Sequence, residues 1–415
     1  MPPRHPSPPV DRRIPLLIVK VGRYPLHHGA VAAARSLGRL GVPVYAVVED
    51  RFTPIGLSRY LTGRFLWPTS GAEEPAELVA GLRRIGERLG RPAVALATDD
   101  EAAVLLGAHR AELDDLFLLP RIDPELPRRL ADKRLLYELC REHGVPAPAT
   151  VFPDTPVEVR QAVEQLGLPV VVKNCSPFER LSAPTVGGTT VLRDREDVKE
   201  LERVIGRPGG SRVLMQEYLP DEDRPEGQAP DWFVHMYCDS EARAEALFTG
   251  VKLRSWPHGG GATARGTAAP HPELAQATAD LCRRIGYRGI GDLDWRYDRR
   301  DGRFNLVDFN PRLGAQAQLF RTTTGVDLMR ALHLDMSGRS TAGGEQIDAR
   351  ELIVEHFNVA SVLASGRRWR QVPPHPRATR RELAWFAWDD PAPFVMATAR
   401  FAVGSVRARI GTRGA

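Results

Sequence analysis

Residues Gly291–Gly314 read GDLDWRYDRRDGRFNLVDFNPRLG and hold the most informative pattern in the chain. From Asp292 to Tyr297, charged residues alternate with apolar ones, which is the period-two pattern of a half-buried β-strand. A second strand is predicted over 303–309. The turn between them is predicted at Arg300-Asp301-Gly302, with Gly302 in the left-handed conformation. The stretch therefore predicts an antiparallel hairpin.

This hairpin gathers polar side chains on one face. With the predicted turn, Tyr297 pairs with Asn305, and Asp294 lies directly opposite Asp308. Asn310 follows Asp308 by two residues and so points the same way. Two carboxylates and an amide oxygen are hard ligands that suit one or two Mg²⁺ ions. A solvated acidic strand pair is the alternative, and the geometry alone favours neither.

The next residues extend this chemistry. Pro311 ends the strand because it has no backbone N–H to donate. Arg312 places a guanidinium beside the predicted metal ligands, and this group suits a phosphate or a carboxylate.

Composition sets the class of protein. The chain has 415 residues, 42% of them hydrophobic and 26% charged, which suits a soluble protein of two or three domains. The net charge of +5 is spread along the chain, and no basic stripe with interleaved aromatic residues indicates nucleic-acid binding. Four separated cysteines favour reduced thiols. Since neither a secretory signal nor an 18-residue apolar run is evident, we expect a cytoplasmic protein without a transmembrane segment.

The first part of the chain alternates strands and helices. Strands are predicted at 14–21 and 42–48, with a helix over Ala30–Leu40 between them, as in a doubly wound α/β domain. The turn Gly22–Gly29 lacks the Gly-x-Gly-x-x-Gly spacing of dinucleotide sites, so no NAD site is predicted. Thr98–Glu101 follows a strand, where open α/β sheets bind ligands. A helix N-cap is the interpretation we favour there.

Two glycine-containing loops suggest anion binding. Lys173 ends a predicted strand, and a loop with Gly187 and Gly188 precedes the return strand 189–192, so these residues could cover a phosphate. Alternatively, Lys173 simply extends to solvent. The stretch Lys252–Gly261 is predicted to be a mobile, cationic, anion-binding loop, with an ordinary surface loop as the alternative.

The last segment, Phe394–Ile410, combines apolar residues with arginines. We predict a C-terminal helix that packs on the body of the protein. The alternative is a basic interfacial helix that contacts a membrane surface peripherally.

Taken in order, these features resemble the ATP-grasp carboxylate–amine ligases, the superfamily of D-alanine–D-alanine ligase, D-aspartate ligase and biotin carboxylase. The residues that carry the resemblance are Asp132-Lys133, Lys173, Glu217-Tyr218-Leu219, Asp231, Lys252, Asp294 and Asp308-Phe309-Asn310-Pro311-Arg312. The resemblance implies an ATP-grasp fold, α/β plus α+β. It implies a tail at 1–13, a Rossmann-like pre-ATP-grasp domain at 14–122, two α+β grasp subdomains at 123–337 hinged near 217–220, and a C-terminal extension at 338–415.

The resemblance also implies a role for each matching residue. They are Lys133, Lys173 and Lys252 for the ATP phosphates; Glu217, Tyr218 and Leu219 for adenine; Asp231 for ribose; Asp294, Asp308 and Asn310 for Mg²⁺ or Mn²⁺; and Arg312 for the acyl phosphate. Apart from the resemblance, we expect Gly187 and Gly188 to contact the phosphates, and Lys252, Arg254 and Arg265 to act in catalysis with Arg312. The loop 254–266 is expected to close over the site.

The implied activity is ATP-dependent activation of a carboxylate, from an amino acid or a peptide, as an acyl phosphate that an amine then attacks. The alternatives are a grasp kinase, a carboxylase or a catalytically silent nucleotide-binding regulator. Asp292 stands where D-alanine ligases carry arginine, which argues against a D-alanine substrate. The loop between Lys173 and Gly188, with Pro177 and Pro184, is longer than in those ligases. Small-molecule acid and amine partners and a homodimer are expected.

Overall fold

The protein is described here by a computed structural model, which covers residues 8–182, 184–219, 231–257, 261–341, 343–365 and 380–411. Its strands form three sheets of five, four and seven strands.

The first sheet is parallel and lies in the N-terminal part. Its elements are β1 (Leu16–Val19), α1 (His28–Gly38), β2 (Val44–Val48), β3 (Gly63–Leu66), α2 (Pro75–Leu89), β4 (Ala93–Ala97), α3 (Asp100–Ala108), α4 (Arg110–Leu113) and β5 (Phe117–Leu118). The strand order is β3-β2-β1-β4-β5. The order reverses between β1 and β4, so the loops after these strands border the crevice in which such sheets bind ligands. The predicted doubly wound α/β domain is confirmed.

Two helices connect the first sheet to the second. They are α5 (Leu126–Ala131) and α6 (Lys133–Glu142). The stretch Asp123–Pro127, predicted as a linker, therefore runs into a helix. The carboxylate of Asp132 accepts hydrogen bonds from the backbone N–H groups of Arg134 and Leu135. This N-cap fixes the start of α6 and places Lys133 in its first turn.

The second sheet is antiparallel, with order β6-β9-β7-β8. Its elements are β6 (Thr150–Val151), α7 (Pro156–Leu166), β7 (Val170–Asn174), α8 (Glu179–Ser182), β8 (Thr189–Leu192), α9 (Arg195–Val204) and β9 (Val213–Glu217). The buried side chains of Val159, Val170 and Leu201 belong to one core between α7, α9 and the sheet. Thr155 and Glu158 form the capping box that begins α7.

The third sheet contains the hairpin predicted within Gly291–Gly314 and has the order β14-β13-β10-β11-β12-β15-β16. Its elements are β10 (Asp231–Cys238), β11 (Ala244–Trp256), β12 (Ala262–Ala268), α10 (Pro272–Arg284), β13 (Gly289–Asp298), β14 (Arg303–Asn310), α11 (Leu328–Met336), β15 (Arg350–Ile353), α12 (Glu355–Ser365), β16 (Arg380–Leu383) and α13 (Ala392–Gly411). Because β15 and β16 extend this sheet, the C-terminal segment is part of its architecture.

The C-terminal helix α13 packs on the N-terminal part, as predicted. Ala397 is fully buried, and the Arg400 guanidinium lies 2.7 Å from the Asp50 carboxylate. Within the described ranges, no helix is both long and apolar enough to span a bilayer.

Candidate active site

The β13–β14 hairpin sets Asp294 opposite Asp308 and Asp292 opposite Asn310. The predicted pairing of Asp294 with Asp308 is confirmed, but the route to it is different. The turn has four residues, 299–302, so Tyr297 pairs with Phe304 and the predicted pairing with Asn305 is wrong.

A β-bulge restores the register. Trp295 pairs with Leu306 and Asp294 with Asp308, so Val307 is the extra residue on β14. Gly302 has a φ of 72° and takes the left-handed position in the turn, as predicted. The longer turn and the bulge each shift the pairing by one residue, and the two shifts cancel at the carboxylates.

The hairpin borders a cavity of about 510 Å³ that contacts all three sheets. Most of the predicted site residues line it, namely Lys173, Glu217, Tyr218, Leu219, Asp231, Lys252, Asp294, Asp308, Asn310 and Arg312. The acidic hairpin residues thus lie in one cavity with residues from the second sheet and from the loops after β1 and β4.

Lysines surround the two facing carboxylates. Lys133 Nζ forms an ion pair with Asp308 Oδ1, and Lys252 Nζ lies 3.9 Å from Asp294 Oδ1. Lys173 lines the same cavity, where burial lowers the pKa of its amine although Asp308 opposes this shift. Three ammonium groups near two acids provide a cradle for a polyphosphate.

The hairpin acids have the electrostatics of a cation site. Burial, helped by Asp292 and Asp308, raises the pKa of Asp294 to about 6, against the opposing effect of Lys252. The amide nitrogen of Asn310 donates to the backbone oxygen of Asp292 at 3.2 Å, so its amide oxygen is the atom left for a metal.

Asp294, Asp308 and Asn310 suit Mg²⁺ better than they suit a metal that is bound only by protein side chains. In the part of the chain that the structure describes, no three His, Cys, Asp or Glu side chains come together as a metal site. Mg²⁺ is typically held by one or two carboxylates together with substrate phosphates and water. Asp294, Asp308 and Asn310 match this pattern.

Tyr218 and Leu219 line another part of the cavity. Leu219 is buried and Tyr218 lies against the Arg296 guanidinium, 5.7 Å from its ring centre. Arg296 also contacts Asp231 at 3.1 Å, and Glu217 accepts from Arg300 at 2.6 Å. The predicted hinge continues to Pro220, which lies outside the described residues.

Arg312 lies between two acids from different parts of the chain. Its Nη1 donates to Asp292 Oδ2 at 2.9 Å, and its Nε lies 3.4 Å from Asp100 Oδ1. Burial lowers the pKa of Arg312, but Asp100 and Asp292 together have the larger opposite effect, so the net pKa is raised and the guanidinium stays charged.

Known proteins share this sequence pattern. A family model described as the carbamoyl-phosphate synthase L chain, ATP binding domain, matches residues 267–335. The chain is 28% identical over 246 residues to the D-aspartate ligase of Enterococcus faecium, covering 57% of this chain and 56% of that protein. It is 22% identical to the biotin carboxylase of Allochromatium vinosum, covering 54% and 49%. The matched regions span about half the length of these curated relatives.

Solved structures share the fold. N5-carboxyaminoimidazole synthetase from Staphylococcus aureus matches with a TM-score of 0.57 and 13% identity, over 81% of this chain and 80% of that one. L-amino acid ligase from Bacillus licheniformis matches with a TM-score of 0.58 and 14% identity, over 82% and 79%. The chain therefore shares the fold of these ATP-grasp proteins. The predicted ATP-grasp fold is confirmed.

Some of the predicted site residues lie away from the cavity lining. Arg254 donates to Asn358 at 3.1 Å, and Arg265 forms an ion pair with Glu351. Gly187 and Gly188 precede Thr189, which lines the cavity in their place. Their phosphate contact and the catalytic roles of the two arginines stay predictions.

The prediction of a mobile loop at 252–261 is wrong for most of its residues. Lys252–Trp256 belongs to β11, and Ala262–Gly266 belongs to β12. Strand β11 continues to Trp256 because it pairs with β12 as far as Trp256 and Ala262. A closing loop over 254–266 is therefore wrong for most of that range, and 258–260 lie outside the described residues.

Three further residues of the cavity were not predicted. Tyr24, His27 and His28 follow β1 and line the cavity. The signal was the reversal of strand order, which places the ends of β1 and β4 side by side. Asp99 also lines the cavity, and it accepts from the N–H of Ala102, so the favoured N-cap interpretation is confirmed.

Proposed function

We propose that this ATP-grasp protein is an ADP-forming ligase that activates a carboxylate as an acyl phosphate and joins it to an amine. The observation that carries the proposal is the cavity itself. Asp294, Asp308 and Asn310 face it on one hairpin, with Arg312 immediately beyond and Lys173 and Lys252 around them. This arrangement suits transfer of a phosphoryl group, in which positioning and charge neutralisation supply most of the catalysis.

The proposed substrates are amino acids or short peptides. Two proteins that resemble this chain are named D-aspartate ligase and L-amino acid ligase. We assign the choice of acid and amine to the end of the cavity near His27 and His28.

We assign ATP to the cavity with its base near Tyr218 and Leu219 and its ribose near Asp231. The ammonium groups of Lys133, Lys173 and Lys252 would hold the phosphates in line with the attacking carboxylate. Arg312 would neutralise the acyl phosphate and orient it toward the amine, because a guanidinium binds such oxyanions with two parallel hydrogen bonds.

Asp294, Asp308 and Asn310 would hold Mg²⁺, or Mn²⁺. A cation held there would offset the charge of the phosphates. Lys133 now pairs with Asp308, so we expect Lys133 to turn toward a phosphate oxygen when the nucleotide binds. We also propose that the protein is a homodimer in the cytoplasm.

A carboxylase or a kinase is the second candidate, since biotin carboxylase and N5-carboxyaminoimidazole synthetase are among the similar proteins. Bicarbonate would then replace the organic acid. A silent regulator is disfavoured because the complete hairpin donor set lines the cavity.

The test is ADP release from Mg²⁺-ATP with amino acids offered singly and in pairs, and with bicarbonate. We expect release only with one acid–amine pair and none in Asp308→Asn. Release with bicarbonate alone, or with one acid alone, would favour the second candidate. No ATP binding at all would refute the proposal.

A further inference from the structure

Arg312 contacts carboxylates from two separate parts of the chain. Its Nη1 donates to Asp292 Oδ2 at 2.9 Å, and its Nε lies 3.4 Å from Asp100 Oδ1. Both acids are at most 5% exposed. One comes from the catalytic hairpin and the other from the first residue of α3, so the guanidinium joins two separate sheets.

A third residue supports the pair from behind. His235 on β10 is fully buried, and its Nε2 lies 3.2 Å from Asp292 Oδ1, the oxygen that does not bind Arg312. Asp292 thus uses one oxygen for each neighbour. Burial lowers the pKa of His235, against the opposing effect of Asp292.

The backbone is shaped around this group. A Cβ on Gly314 would collide with His235 Cε1 and would lie 2.7 Å from Asp292 Oδ2, so only glycine lets the chain pass there. The N–H of Leu313 donates to the carbonyl of Ala97 at the end of β4, at 3.1 Å. The loop that carries Arg312 is therefore fixed to the strand end that leads into Asp100.

We propose that Asp292 and Asp100 are positioning residues that hold the Arg312 guanidinium in the orientation in which it meets the transferred phosphoryl group, with His235 fixing Asp292. This deepens the proposed function and rests on it. Asp292 and Asp100 lie against Nη1 and Nε, and Nη1 also donates to the Leu313 carbonyl at 3.3 Å. These contacts restrain rotation of the guanidinium, and we assign its Nη2 group to the ligand. Asp100 also makes the geometry of Arg312 depend on how the first sheet sits against the hairpin.

A positioning role differs from a structural ion pair in its effect on the ligands. Substituting Asp292 or Asp100 should change phosphate binding and turnover without changing nucleotide binding. The variants are Asp292→Asn and Asp100→Asn, which keep shape and remove charge. Asp239→Asn is the control, because Asp239 is also buried and paired with an arginine, Arg243, but lies outside the cavity lining. Each variant's melting temperature is recorded to separate misfolding from misplacement.

The first readout needs no turnover. Inorganic phosphate is titrated onto the Mg²⁺-ADP complex, and its affinity is read from the melting temperature. We expect Asp292→Asn to weaken phosphate binding about 10- to 100-fold, as displaced supporting residues do, with ADP affinity unchanged. Equal phosphate affinity in Asp292→Asn, Asp100→Asn and Asp239→Asn would overturn the proposal, as would absence of a phosphate effect in the unaltered protein.

The second readout is chemical rescue. Guanidinium ion should restore ADP release to Arg312→Ala, because Asp292 and Asp100 would bind it in the vacated space. It should not restore Arg312→Ala/Asp292→Asn. Equal rescue of both variants would overturn the proposal. If no acid–amine pair releases ADP even from the unaltered protein, the proposed ligase activity fails, and the phosphate titration still decides the positioning role.

Discussion

At Asp294 and Asp308, two half-buried carboxylates face each other across a strand pair. Burial and the neighbouring acids raise the pKa of Asp294, whereas Lys133 and Lys173 keep the pKa of Asp308 low despite its burial. The hairpin therefore holds one carboxylate at a cost when no cation is bound. Such local destabilisation is typical of functional sites.

We predict that Asp294→Asn raises the melting temperature of the metal-free protein at neutral pH, since it removes a like charge near Asp292 and Asp308. The same variant should lose the extra stabilisation that Mg²⁺ gives to the ATP complex. Differential scanning calorimetry with and without Mg²⁺ measures both effects. Asp280→Asn, an exposed acid on α10, is the control and should change neither. A lower melting temperature in metal-free Asp294→Asn would contradict the account.

At the scale of elements, the sequence predicted most strands and helices near the cavity because local patterns are strong there. Alternation predicted β13, and the helix predicted over Ala30–Leu40 overlaps α1. The pairing of Asp294 with Asp308 was right although the turn length was wrong. Turn length and the bulge at Val307 depend on how the strands twist together, which the alternation does not encode.

The first-sheet side of the cavity could not be predicted in the same way. His27, His28 and Asp100 are far apart in sequence and meet because β1 and β4 are neighbours in the sheet. Strand order is a tertiary property that no local pattern in these loops specifies. The partners of Arg265 and Arg254, Glu351 and Asn358, also come from the distant C-terminal segment.

The start of α3 allows a test at this scale. Asp99 accepts from the N–H groups of Ala102, Val21 and Gly22, so it both caps α3 and fixes the end of β1. We predict that Asp99→Ala lowers the free energy of unfolding by about 1–3 kcal/mol, because three buried donors lose their acceptor. Urea unfolding measures this. A change within experimental error would show that the cap is not needed.

At the scale of the whole molecule, the C-terminal segment joins the third sheet to the first. Arg35 on α1 binds Asp390 at 2.9 Å, and both side chains are at most 5% exposed. Trp385 packs edge-on against His28, which lines the cavity. Packing of α13 on the body favours a structural role for this segment, and membrane contact stays a prediction.

Neighbouring acids in this segment offer a matched comparison. Asp390→Ala leaves the buried guanidinium of Arg35 without its carboxylate, so we predict a loss of about 3–5 kcal/mol in the free energy of unfolding. Asp389→Ala removes an acid that pairs with Arg39 in an exposed position, with about half of each side chain accessible, and should cost less than about 1 kcal/mol. Similar losses in the two variants would contradict the assigned role of Asp390.

An isotope-transfer experiment tests whether the carboxylate is activated as an acyl phosphate. The acid selected by the ADP-release screen is labelled with ¹⁸O in its carboxylate and incubated with Mg²⁺-ATP and the amine. Because a ligase passes through an acyl phosphate, we predict that one labelled oxygen appears in the inorganic phosphate and that amide forms in equal amount. Unlabelled phosphate would show that the carboxylate never received the phosphoryl group, and it would contradict the proposed reaction.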